Sequence, residues 1–263
     1  MIRELLAGID RRVMGKAIRD PGRAIMRLVL RVRLMRSGAA DERRRYLTFL
    51  SQQYGIDGVA LSEEYAHSDF RRWFLERKAA LARFAGPYRQ GTTGDFGCEA
   101  MYLLVRAARP KVVVETGVLY GASTAHILAA LNHNGGGKLF SIEIGRSDAE
   151  PPHDFFVPAE VKHCWELIIG DSRRQLPALL ERNPVIDMFH HDSLHTFDHM
   201  MWEFTTAFPH LSPRGVLSSD DVQNPHSLLG IFRENAFAAF CKRYKAPGAT
   251  FFNLGLVLPQ RAV

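Results

Sequence analysis

The chain has 263 residues, 46% of them hydrophobic, which is enough to bury one substantial α/β core with a small appendage. It contains no run of eighteen apolar residues, which excludes a hydrophobic membrane-spanning helix, and its start lacks the apolar core and cleavage site of a secretory signal. Residues 1–46 hold 13 Lys/Arg against 5 Asp/Glu and the remainder 21 against 23, so the net +6 belongs to an N-terminal arm and a nucleic-acid groove across the body is excluded.

In chain order, Ile2, Leu5, Leu6, Ile9, Val13 and Ala17 recur at helical spacing until Pro21-Gly22 breaks the pattern. A second helix follows, with Arg23, Arg27 and Arg31 on one ridge and Ile25, Leu28, Val29 and Val32 on another. Such a basic amphipathic stretch (residues 1–36) suits the surface of an anionic membrane, or an arm packed on the body or on a second copy in a homodimer. Joints are expected at Ser37–Ala40 and Tyr54–Gly58, with Ser62 and Ser68 as N-caps of the helices that run to Phe84. Cys98, Cys164 and Cys241 are odd in number and lack metal-ligand spacing, as expected of reduced thiols in a cytoplasmic protein.

From about residue 96 the pattern alternates. Helices are expected at 96–108, 122–132, 173–182 and 196–208, and strands at 111–115, 138–143, 165–169, 185–190 and 216–219. Phe197, Met200, Met201, Phe204 and Phe208 form the core stripe of the last of these helices. Residues 237–245 and 249–258 read as a closing strand pair. The expected fold is α/β: a Rossmann-like, doubly wound, mostly parallel seven-stranded sheet with an antiparallel closing strand and a helical N-terminal extension. The division expected is a helical arm and lid region over 1–90 and a catalytic domain over 91–263.

One stretch, Val112-Val113-Val114-Glu115-Thr116-Gly117-Val118-Leu119-Tyr120-Gly121-Ala122-Ser123, runs from buried strand through a two-glycine turn into a helix. Gly117 and Gly121 lack Cβ atoms where the chain reverses and where a ligand could press on bare backbone. Acids then recur at successive strand exits: Glu115, Glu143, Asp171, Asp192 and the pair Asp220-Asp221. All fall on the edge of a parallel sheet where ligands bind, and packing alone does not explain acids at five exits, since each must be solvated or paired.

Glu143 is placed to accept both hydroxyls of a ribose and Asp171 an adenine amino group. Acids in these places disfavour a diphosphate, and a nicotinamide enzyme would show Gly-x-Gly-x-x-Gly, where this chain has Leu119 at the second glycine. S-adenosylmethionine, an adenosine carrying a cationic sulfonium, fits better. Asp192, Asp220 and Asp221 offer hard oxygen ligands suited to Mg²⁺. His195, three residues after Asp192, is the candidate base for a substrate hydroxyl. His190 and His191 read as structural.

The stretch from Glu115 to Ser123 resembles the first motif of class I S-adenosylmethionine-dependent methyltransferases. Asp187–His195, with Gly215-Val216-Leu217-Ser218-Ser219-Asp220-Asp221, resembles the metal-dependent O-methyltransferases. The catechol type carries Asp-Asn at the last exit and a lysine where His195 stands, so the antibiotic-sugar (macrolide) type is more similar; the resemblance spans about residues 92–258. It implies that Glu115, Gly117 and Ser123 meet the methionine end of the cofactor, Glu143 the ribose and Asp171 the adenine. Gly121 and Asp192 complete the cofactor set. It also implies that Asp192, Asp220 and Asp221 bind Mg²⁺, that His195 is the catalytic base, and that the acceptor is a hydroxyl of a small molecule or glycoside. The rival expectations are a nucleotide-sugar or nicotinamide-dependent enzyme, and a non-catalytic membrane- or partner-binding protein with a vestigial pocket.

Overall fold

A computed structural model describes residues 38–81, 93–145, 151–222 and 235–258. The basic stretch 1–36, with its expected membrane or subunit contact, lies outside the described residues. Three helices come first: α1 (Ala39–Tyr54), α2 (Gly58–His67) and α3 (Asp69–Leu81). There follow α4 (Asp95–Ala108), β1 (Val112–Thr116), α5 (Ala122–His133), β2 (Lys138–Glu143), β3 (Trp165–Ile169), α6 (Ser172–Arg182), β4 (Ile186–His191), α7 (Phe197–Ala207) and β5 (Leu211–Ser219). The chain closes with α8 (Ala236–Tyr244), β6 (Gly248–Phe251) and β7 (Leu254–Val257).

The seven strands form one sheet in the order β3-β2-β1-β4-β5-β7-β6. Pairing is parallel from β3 to β5, and β7 runs antiparallel to both β5 and β6. Strand order reverses at β1, between β2 and β4, which opens a crevice at the carboxyl ends of these strands. Both faces of the sheet are covered. Val113, Leu139, Met188 and Val216 enter one apolar cluster, and Val114, Ile142, Phe189 and Leu217 enter the other. This double burial explains why the strands read as near-continuous apolar runs.

The helices α1–α3 share the first of those clusters through Tyr46, Leu50, Tyr65 and Phe74. The Tyr46 hydroxyl donates to the Ala100 carbonyl at 2.7 Å. Arg106 forks onto Glu64, with Nε at 3.1 Å and Nη2 at 2.9 Å, and Tyr65 reaches His126 on α5 at 2.9 Å.

Three local expectations are corrected. Residues 237–245 are not a strand: 237–244 lie in α8 and Lys245 is its C-cap, because Phe237 and Phe240 at helical spacing reach Phe204 on α7; the closing pair is the β6–β7 hairpin alone. Ser62 lies inside α2 and donates to Glu99, while the cap is Asp57, whose carboxylate accepts from the Val59 and Ala60 amides. On α7, Phe197 is 48% exposed, and the buried stripe is His199, Met200, Glu203, Phe204 and Ala207. Ser68 caps α3 as expected, accepting from the Arg71 amide at 3.1 Å.

Candidate functional site

The two-glycine turn follows β1 directly. Gly117 has φ 86° and Gly121 φ 80°, backbone conformations that L side chains rarely adopt. A Cβ on Gly117 would lie 2.1 Å from the Asp192 carbonyl oxygen, and one on Gly121 2.6 Å from that of His153. The space that glycine clears is thus filled by the chain's own loops rather than left for a ligand. That close approach locks the turn against the loop after β4.

Glu115 is fully buried. Its carboxylate accepts from the Ser123, Thr124 and Ser141 hydroxyls at 2.6, 2.7 and 2.7 Å. Burial raises its pKa against the pull of these donors. The polar atoms of Glu115 and Ser123 are engaged with each other, so both support the turn from within.

Glu143, at the end of β2, caps the turn from the outside. One carboxylate oxygen accepts from the Val118 and Leu119 amides at 2.7 and 2.8 Å, and the other from the Ile144 amide at 2.8 Å. A carboxylate offers about four acceptor positions, which leaves capacity for a further hydroxyl. Beside it Ile144 is 77% exposed and Ile169, paired in register with Glu143, is 53% exposed. Asp171 is exposed at the next exit and caps α6 through the Arg173 amide at 2.9 Å. An exposed apolar platform flanked by two carboxylates suits a nucleoside: ring faces on the isoleucines, polar edges on the acids.

Past β1 the remaining acids gather. The Asp220 amide donates to the His191 carbonyl at 2.9 Å, which sets the end of β5 beside the end of β4. His195 has Nε2 3.7 Å from Asp192 and Nδ1 3.9 Å from Asp221. Thr93 donates to the other Asp192 oxygen at 3.2 Å, and Asn253 in the β6–β7 turn donates to Asp221. Burial and the neighbouring Asp220 and Asp221 charges hold the Asp192 carboxyl well above the usual carboxylate range. Burial and Asp221 push Asp220 up to about 7. Asp192, Asp220, Asp221 and His195 are therefore brought together. Their donor chemistry is that of a hard divalent cation, although no three His, Cys, Asp or Glu side chains among the described residues already stand as a ligating set.

Beneath this cluster lies a carboxylate that the sequence reading missed. Glu203 on α7 is fully buried and takes four hydrogen bonds. One oxygen accepts from Thr116 Oγ1 at 2.5 Å and His191 Nδ1 at 2.6 Å, the other from His199 Nε2 at 2.8 Å and Ser193 Oγ at 3.0 Å. Burial would raise its pKa, but the bonds from His191 and His199 outweigh it and hold Glu203 far below the ordinary value. His190 is buried with Nδ1 2.9 Å from Ser218 Oγ, and burial together with His191 lowers its pKa to about 3, as suits a structural, neutral imidazole.

Residues 114–222 match the family model described as a methyltransferase domain. No curated protein matches the chain. Among solved structures it is similar to the O-methyltransferase TomG from Streptomyces achromogenes, in complex with SAM, with 20% identity, TM-score 0.55 and coverage of 72% of this chain and 89% of that one. A second is the SAH-bound methyltransferase PaMTH1 of Podospora anserina, with 14% identity, TM-score 0.56 and coverage of 72% and 88%. A third is an O-methyltransferase from Bacillus cereus in complex with SAH, with 15% identity, TM-score 0.51 and coverage of 76% and 97%. At these identities the structural likeness is one of fold, and the family match likens residues 114–222 to a methyltransferase domain.

Proposed function

We propose that this chain, with its methyltransferase domain at residues 114–222, transfers a methyl group from S-adenosylmethionine to a hydroxyl of a small molecule or glycoside, with a divalent cation such as Mg²⁺. The observation that carries the reading is the row of acids along one sheet edge: Glu143 and Asp171 flank an apolar platform, and Asp192 and Asp221 flank His195 with Asp220 beside them.

In this reading Glu143 accepts a ribose hydroxyl, Asp171 the adenine amino group, and Ile144 and Ile169 cover the ring faces. Gly117 and Gly121 hold the turn closed, while Glu115 and Ser123 brace it from inside. When bound, S-adenosylmethionine supplies a methyl group on a positively charged sulfur, and Mg²⁺ on the three aspartates supplies a charge that lowers the pKa of the acceptor hydroxyl. His195 takes the proton that the acceptor oxygen releases as it bonds to the methyl carbon, a contribution of about 10²–10⁴-fold. The cofactor would supply the methyl group and take up the bonding electrons at its sulfur. Asp192 and Asp221 stand 3.7 and 3.9 Å away on the two nitrogens of the imidazole.

The test is transfer of a labelled methyl group from S-adenosylmethionine across a panel of phenols, catechols and glycosides. Activity should require added divalent cation, vanish with EDTA and drop in His195→Ala. Transfer that survives EDTA would contradict the three-aspartate metal reading, and full turnover by His195→Ala would contradict the base.

A further inference from the structure

We propose that Glu203 is a positioning residue: its buried carboxylate sets the loop that carries Asp192 and His195 against the cofactor turn. The inference rests on the cofactor and metal reading above and extends it to a residue that touches neither.

The four donors to Glu203 come from separate elements. Thr116 ends β1, immediately before the glycine turn. His191 ends β4, immediately before Asp192. Ser193 belongs to the loop between Asp192 and His195, and His199 stands in the first turn of α7. Through His199 Nε2, also 3.2 Å from Ser172 Oγ, the connection extends to the start of α6, beside Asp171. One carboxylate therefore ties together the exits of β1 and β4 and the first turns of α6 and α7. No apolar residue could do this, because removal of the acceptor would strand buried donors.

The geometry also dictates which parts of the site depend on it. Gly117 packs against the carbonyl of Asp192 and the Cα of Ser193, so the loop that Glu203 restrains is also the wall of the glycine turn. The His191 ring stands 5.1 Å from the His195 ring, edge to face. With His191 Nδ1–H given to Glu203, its Nε2 has no hydrogen-bond partner among the described residues. The bond to Glu203 is therefore what fixes the orientation of that ring, and the ring in turn backs His195. Outer groups of this kind commonly change metal affinity or activity by about 10–100-fold when removed.

The experiment compares the full chain with Glu203→Gln, and with Ser193→Ala, which removes only the loop's own link and keeps the carboxylate. Circular dichroism first establishes folding. Backbone hydrogen exchange then reads loop order, a spectrum of ¹⁵N-labelled histidine reads the His191 Nδ1–H, and titrations with Mn²⁺ and with S-adenosylhomocysteine read the two halves of the site. Expected in Glu203→Gln are faster exchange over residues 192–196 with α5 unchanged, loss of the hydrogen-bonded His191 proton signal, and Mn²⁺ binding weaker by about tenfold or more. The effect on S-adenosylhomocysteine should be much smaller. Ser193→Ala should show the exchange effect with the His191 signal kept, and it decides the matter if Glu203→Gln fails to fold. Unchanged exchange over 192–196 in the folded variants would overturn the proposal. If wild type itself binds no Mn²⁺, the metal reading fails, and the exchange and histidine signals still decide the role of Glu203.

Discussion

His153 donates its Nδ1–H to the carbonyl oxygen of Leu119 at 2.7 Å, and Leu119 is a non-glycine residue held at φ 51°. The left-handed conformation in the middle of the glycine turn is thus clamped from two sides, since the Leu119 amide donates to Glu143. The segment that brings His153 there is itself held from α3: Arg77 donates from Nε and Nη2 to the Phe155 carbonyl at 3.1 and 2.9 Å and stacks 4.1 Å from the Phe155 ring centroid. The Phe156 amide reaches the Tyr120 carbonyl at 3.1 Å.

Helix α3 therefore braces the glycine turn. Arg77→Ala should weaken S-adenosylhomocysteine binding about three- to tenfold, the scale of one or two hydrogen bonds, with little loss of helix content. Calorimetric titration of the full chain checks it. Arg77→Lys should recover only part of the affinity, because a lysine cannot fork and stack as the guanidinium does.

Gly117 and Gly135 separate strain from crowding, as their φ values are 86° and 85°. At Gly135 nothing lies within 4 Å of an added Cβ, whereas at Gly117 the Asp192 carbonyl would be 2.1 Å away. Gly135→Ala should cost about 1–2 kcal/mol for the backbone alone. Gly117→Ala should cost about 3 kcal/mol or more and abolish cofactor binding, as urea unfolding and titration will measure.

The turn, the strands and the acid row were legible because their signals are local. A β-branched run, a glycine at a reversal and an acid at a strand end each announce themselves within a few residues. Thus Glu115, Glu143, Asp171, Asp192 and Asp220 could all be assigned to exits. Glu203 was not legible, because its donors come from residues as far away as Thr116. On the sequence it passes for a solvent-facing acid of an amphipathic helix, and only the exposure of Phe197 reveals that the stripe is rotated. The run from Phe237 to Lys245 is short and apolar enough to fit strand or helix, and contacts with Phe204 decide it. The glycines misled in another way: their special backbone was evident, but what fills the space beside them is distant in sequence.

His126 should make stability depend on pH. It is fully buried, with Nδ1–H on the Ala122 carbonyl at 2.7 Å and Nε2 accepting from Tyr65 at 2.9 Å. Burial lowers its pKa to about 4, against about 6.5 in an unfolded chain. Between those values the unfolded state binds a proton that the folded state refuses. Stability from this group is complete above pH 6.5 and falls as pH drops towards 4, by up to about 3 kcal/mol. His126→Gln, which keeps an acceptor for Tyr65 but does not titrate, should flatten the unfolding free energy across that window.

Besides burial, Asp220 and Asp221 raise the proton affinity of Asp192, and Asp221 raises that of Asp220, so the cluster stores repulsion when no cation is bound. Asp220→Asn should stabilise the metal-free protein by about 1 kcal/mol while eliminating Mn²⁺ binding. Thermal melts with and without Mn²⁺ read both effects, and wild type alone should gain stability from the ion.

The most direct measurement is a calorimetric titration of the full chain with S-adenosylhomocysteine and, separately, with NAD⁺, repeated on Glu143→Ala. The expected result is one saturable site for S-adenosylhomocysteine, none for NAD⁺, and loss of the site in Glu143→Ala. Binding of NAD⁺ with no response to S-adenosylhomocysteine, or full affinity in Glu143→Ala, would contradict the assignment of the acid-lined sheet edge to a sulfonium nucleoside.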